Sequence, residues 1–155
     1  MKALEETEYG GLRSDFNILV THQAFDQEIV GPVDFTFREG RSDTVSRRTV
    51  PVDFEYIAAG HIHRYQVLSH PLKPELKFAY PGSTQRISFA EKDEDKGFIV
   101  GEVLNDRIET RFLPLPVYDM EIVQIEAVGL FQKECEDTIR GKSGAFTVTF
   151  LFDLI

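Results

Sequence analysis

A short apolar run that opens into glycine and two histidines constrains this chain most: Phe54-Glu55-Tyr56-Ile57-Ala58-Ala59 leads directly into Gly60-His61-Ile62-His63. A run of that length and composition forms a buried strand, so two imidazoles are delivered to the end of a rigid element. Residues i and i+2 of an extended chain project to the same side, which predicts that His61 and His63 point into one site while Gly60 lets the backbone turn closely there. A second run, Phe16-Asn17-Ile18-Leu19-Val20-Thr21, ends in the same way at His22. Neutral imidazole is the commonest protein ligand for zinc, manganese and iron, and three of the four histidines stand at predicted strand ends. A single histidine after a strand is more often a hydrogen-bonded structural residue than a ligand. The paired histidines with their leading glycine, matched by a second strand-end histidine, point instead to a metal site. His70, in Leu68-Ser69-His70-Pro71, has no such setting and reads as a loop residue.

The other elements also read mainly as strands. Lys77 to Tyr80 is one; Gly97 to Leu104 and Arg107 to Leu113, joined by Asn105-Asp106, form a predicted hairpin. Ile108, Thr110 and Phe112 alternate with Arg107, Glu109 and Arg111, the pattern of a sheet with one wet face. The charged run Glu91-Lys92-Asp93-Glu94-Asp95-Lys96 reads as a solvated loop without a chemical role. Leu113-Pro114-Leu115-Pro116 is a rigid connector and a domain boundary, dividing residues 1–115 from 116–155. Beyond it, Met120 to Glu126 reads as a strand. Val128, Phe131, Cys135 and Ile139 recur at helical spacing, and Ala145 to Phe152 returns as a strand, a β-α-β piece. Cys135 falls on the apolar face of that helix, where packing explains it better than nucleophilic chemistry, since no histidine is in register.

Composition bounds the class. With 155 residues, 42% of them hydrophobic and 13 phenylalanines among them, the chain is long enough for one sizeable core. A single cysteine excludes an intrachain disulfide and suits a reducing compartment. No apolar stretch approaches a membrane span or a signal-peptide core, so the expectation is a cytoplasmic protein without a membrane partner. The net charge of −9 is unusual for a dedicated nucleic-acid binder, although bound cations can carry positive charge to a scissile phosphate. Arg38, Arg41, Arg47 and Arg48 concentrate between the two histidine strands; a solvated connection diluted by Glu39 and Asp43 explains them better than a phosphate-contacting loop. Arg64, beside the histidines, is better placed to touch a substrate phosphate, or to pair with Asp53 or Glu55.

The order His22, then Gly60-His61-Ile62-His63, resembles the last two motifs of the calcineurin-like metallophosphoesterases. Tyr80-Pro81-Gly82-Ser83-Thr84, Ser88-Phe89-Ala90-Glu91 and Asp95-Lys96-Gly97-Phe98-Ile99-Val100 look like the stretch that follows in the SbcD-type DNA exonucleases, relatives of the meiotic recombination eleven nuclease. Thr21-His22-Gln23 and His61-Ile62-His63-Arg64 look like the same branch. The resemblance covers residues 16–115. It implies an α/β (α+β) fold, made mostly of strands: the second sheet of a metallophosphoesterase sandwich, then the start of a β-α-β capping domain, cut short before its sheet is finished.

By the family's pattern His22 and His61 bind one divalent ion and His63 the other, manganese being the expected metal, with Arg64 near the substrate. The first three family motifs, which supply the bridging Asp and the catalytic His, have no counterpart here. No catalytic residue is therefore assigned within this chain, and the missing N-terminal half is an expected partner. The implied function is hydrolysis of DNA phosphodiesters in double-strand-break repair by the complete enzyme, together with an SMC-like coiled-coil ATPase of the SbcC type, and with homodimerisation allowed. The chain alone is expected to be inactive. A phosphoesterase acting on small phosphoesters, and a non-catalytic binding module derived from the fold, are the alternatives.

Overall fold

The computed structural model describes residues 4, 6–11, 14–27, 29–30, 35–36, 44–120 and 131–141. They fall in two compact units, Met1–Val117 and Tyr118–Ile155. The strands are β1 (Ile18–His22), β2 (Ala24–Phe25), β3 (Ile29–Val30), β4 (Phe35–Thr36), β5 (Thr44–Val45), β6 (Tyr56–Gly60), β7 (Gln66–Ser69), β8 (Lys77–Tyr80), β9 (Gly97–Leu104) and β10 (Arg107–Pro114); helix α1 is Gln132–Gly141. The described residues are thus mostly strands with few helices, a mixed α/β character.

Four strands make the sheet that carries the histidines, in the order β1-β6-β8-β7. β1 and β8 both run parallel to β6, and β7 returns antiparallel beside β8. The register sorts side chains onto two faces, because neighbours across a ladder share a side and alternate residues switch it. Leu19 pairs with Ile57, and Ile57 with Phe78, on the face that builds the core. Ile57 and Phe78 are fully buried there with Leu76 and Tyr80, and Phe25 meets Phe78 edge to face at 4.8 Å between ring centres. Ile18 pairs with Tyr56, Val20 with Ala58, and Ala58 with Ala79 on the opposite face. That face lines a cleft of about 750 Å³, whose other wall is Phe98, Ile99, Gly101, Ile108 and Thr110 of β9 and β10. Val20 is 78% exposed on it.

β9 and β10 pair antiparallel from Gly97↔Pro114 to Leu104↔Arg107. Asn105 and Asp106 close the hairpin with φ of 50° and 60°, the left-handed pair of a type I′ turn that matches strand twist. In the second unit α1 is a ten-residue helix over part of the span with helical spacing. Of the expected strand Met120 to Glu126 all but Met120 lies outside the described residues, as does the expected strand 145–152. None of the helices among the described residues is long and apolar enough to cross a membrane.

His70 lies in the loop after β7, as expected, but it is not at the surface: it is 1% exposed, and its ring is bonded at both nitrogens. Nδ1 accepts the Leu72 amide at 3.0 Å, so Nε2 carries the proton donated to the Val50 carbonyl at 3.0 Å. Arg47 is not a solvated cation either. It is 5% exposed; Nε bonds Asp26 Oδ1 at 3.1 Å, Nη1 the Ser69 carbonyl at 2.6 Å and Nη2 Gln27 Oε1 at 2.6 Å. One guanidinium thereby ties the segment after β2 to the end of β7, and no phosphate role is left for it.

Candidate metal centre

His22 is the last residue of β1, and its partner across the ladder is Gly60, the last residue of β6. The carboxyl edge of parallel strands is where such sheets place their ligands, because the chain leaves the ladder there and side chains converge above it. Glycine lets the two strands' ends approach closely there: a Cβ on Gly60 would come within 2.8 Å of His22 Nδ1 and push the ring aside. The role of Gly60 is close approach, and the sharp turn falls one residue later. His61 takes it, with φ of 91°, a backbone region that side-chain-bearing residues seldom occupy.

That turn changes how the histidines group. Same-side projection of His61 and His63 requires an extended backbone, and the chain is not extended at His61. His61 instead meets His22, ring edge to ring face, with centres 5.4 Å apart and planes at 74°. Two imidazoles binding one ion at about 2.1 Å in tetrahedral geometry have ring centres about 5 Å apart. The pair is thus spaced as two ligands of a single ion, and both residues are solvent-exposed. Among the described residues no group of three or more His, Cys, Asp or Glu is placed to hold an ion. The donors have the right chemistry and spacing for part of a coordination shell.

His63 is held by a different set of groups. Its Nδ1 lies 3.2 Å from Glu91 Oε1. The other carboxylate oxygen, Oε2, lies 2.7 Å from Lys96 Nζ, which also bonds Glu94 Oε2 at 2.9 Å and the His63 backbone carbonyl at 3.0 Å. The Lys96 side chain is completely buried. Burial by itself would raise the Glu91 carboxyl, but hydrogen bonds from Lys96 and His63 outweigh it and hold the group below its ordinary range. Arg64 bonds Glu94 Oε1 through Nε at 2.9 Å. Two cations and two carboxylates thus balance beside His63: Glu91, Glu94 and Lys96 form a packed ionic cluster with Arg64, while Asp93 and Asp95 of the same run are exposed, as the composition suggests. Asp53 and Glu55, the partners considered for Arg64, bond Tyr9 and the Asn17 amide instead.

Gly82 completes the arrangement. At φ 81° it passes so close to the site that a Cβ would lie 2.7 Å from the His63 carbonyl oxygen, and the next amide, Ser83 N–H, bonds that same oxygen at 3.0 Å. The Pro81-Gly82-Ser83 stretch is therefore a backbone brace against the histidine turn.

The mixed sheet thus gathers His22 and His61 at the carboxyl edge of two parallel strands, with the histidine turn braced by Gly82. In sequence, the chain is a relative of the SbcD-type nucleases. It is 31% identical over 85 residues to the SbcD subunit of the nuclease SbcCD from Staphylococcus saprophyticus, a match covering 54% of this chain and 21% of that protein. It is 30% identical over 125 residues to the DNA double-strand break repair protein Mre11 of Archaeoglobus fulgidus, covering 81% of this chain and 26% of that protein. With the SbcD subunit of the SbcCD nuclease from Staphylococcus epidermidis the identity is 24% over 133 residues, or 84% of this chain and 33% of that protein. The matches therefore span between about a fifth and a third of these relatives' length. No protein-family model matches the chain.

Proposed function

We propose that this chain supplies part of the metal centre of an SbcD-type DNA nuclease, with His22 and His61 as ligands of one divalent ion and His63 as a ligand of a second. The observation that carries the reading is the His22–His61 pair, brought to 5.4 Å at the carboxyl edge of two parallel strands by the close approach over Gly60. By the family's pattern, the remaining ligands, a bridging carboxylate among them, and the catalytic histidine would come from motifs that precede His22 and have no counterpart in this chain. Paired divalent ions, manganese by the resemblance, would supply a hydroxide nucleophile and neutralise charge on a phosphodiester. Within this chain His22 and His61 offer neutral nitrogen donors, and Arg64 lies next in sequence to His63 as the cation for a backbone phosphate. DNA is the proposed substrate and a coiled-coil ATPase of the SbcC type the proposed partner of the whole protein, since two of the relatives are named as subunits of SbcCD.

Titration calorimetry with zinc and with manganese tests the ligand assignment. The chain should bind one ion weakly, and His22→Ala and His61→Ala should each weaken it at least tenfold. Equal affinity in wild type and in both variants would show that these histidines are not ligands. The purified chain should have no manganese-dependent activity on linear duplex DNA; cleavage that disappears in His61→Ala would overturn the incomplete-site reading.

A further inference from the structure

We propose that Glu91 and Lys96 are positioning residues that clamp His63 at both its ring and its backbone, so that the imidazole presents Nε2 as its free lone pair. The inference rests on the metal-centre reading only for what that lone pair serves.

Each part of the clamp follows from hydrogen-bond chemistry. Lys96 Nζ has three protons and three acceptors, Glu91 Oε2 at 2.7 Å, Glu94 Oε2 at 2.9 Å and the His63 carbonyl at 3.0 Å, so the buried ammonium is saturated and cannot rotate without losing a bond. A carboxylate facing a buried ammonium at that distance is ionised and only accepts. Glu91 Oε1 can therefore meet His63 Nδ1 only if Nδ1 carries the proton. The neutral ring is then the Nδ1–H tautomer, whereas a histidine free in water favours Nε2–H. The same ammonium that fixes the carboxylate also holds the His63 carbonyl, which accepts the Ser83 amide as well. Ring and main chain of one residue are thus referred to a single buried cation. A ligand histidine oriented through its second nitrogen by a carboxylate is a more basic and better-aimed donor.

The structure contains its own control. His70 is bonded in the opposite sense, accepting at Nδ1 and donating from Nε2. Long-range ¹H–¹⁵N spectra of the metal-free full chain, at a pH where the histidines are neutral, report each tautomer directly. The expected result is Nδ1–H at His63 and Nε2–H at His70 in the wild type. In Glu91→Ala, His63 should revert to mainly Nε2–H with His70 unchanged, and Glu91→Asp should restore part of the Nδ1–H population. Zinc added alone should bind about tenfold more weakly to Glu91→Ala than to wild type. An Nε2–H ring at His63 in the wild type overturns the proposal without any variant, so a variant that fails to fold does not protect it; an identical tautomer in wild type and Glu91→Ala overturns it equally. If zinc shifts none of the histidine resonances of the wild type, the metal-centre reading fails, while the tautomers still decide the clamp.

Discussion

At φ 91° the His61 backbone occupies a region where Cβ crowds the adjacent carbonyl, a strain of about 1–3 kcal/mol when context enforces it. Ile62, 5% exposed, anchors the next residue in the core, and Gly60 is confined beneath the His22 ring, so the turn has nowhere else to fall. Two substitutions separate the strain from the chemistry. His61→Ala and His61→Gly both remove the imidazole and should lower zinc affinity alike. In urea unfolding, however, His61→Gly should be the more stable of the two by about 1 kcal/mol, because glycine occupies positive φ without penalty. A glycine variant no more stable than the alanine one would mean that the backbone at 61 is unstrained.

At the scale of elements, the Asn105-Asp106 hairpin was legible because a two-residue connection between alternating runs demands residues that tolerate positive φ, and both do so here. Asp106→Gly should improve the turn by about 0.5–1 kcal/mol, read as a higher melting temperature; an unchanged or lower one would show that φ 60° costs Asp106 nothing. The strand ends at His22 and Gly60 were equally legible, since apolar runs stop where the ladder stops. Strand spacing alone misgrouped the histidines, because same-side projection assumes an extended chain and the positive φ at His61 is invisible in composition; the nearness of His61 to His22 was legible only through the family's pattern. The cluster of Glu91, Glu94 and Lys96 was not legible: a run of charges reads as solvated unless it is known that His63 and Arg64 lie over it. Strand β6 carries a pH prediction as well. Burial raises the Tyr56 phenol above its ordinary value of 10.0, with the nearby Tyr65 adding to the shift. A raised native value means the neutral phenol stabilises the fold below pH 10 and that contribution is lost as pH climbs from there towards the native value. Wild type should therefore lose more stability than Tyr56→Phe as the pH is raised above the ordinary phenol value of 10.0, and equal losses would remove Tyr56 as the cause.

For the whole molecule, the decisive quantity is the apolar face that the described residues of the first unit leave uncovered. Ile18 is 46% and Val20 78% exposed on the β1 side of the cleft, and Phe98, which lines it from β9, is 41% exposed. Among the described residues β1 is also an edge strand, with one side of its ladder unpaired. Apolar surface left in water forgoes about 25 cal/mol per Å², and an α/β layer normally buries such a face against another layer. On the proposed reading, the cover would be the remainder of an SbcD-type protein, of which the match to the Staphylococcus epidermidis relative takes in 33%. Expressed alone, the chain should bind a hydrophobic dye and self-associate in light scattering. Co-expression with that remainder should suppress both and yield a stable complex. Val20→Lys separates this from general stickiness, because a charge on the exposed face should make the chain alone several-fold more soluble while blocking the complex. A chain that is monomeric and dark to the dye, or a Val20→Lys variant that still assembles, would show that this face is finished as it stands.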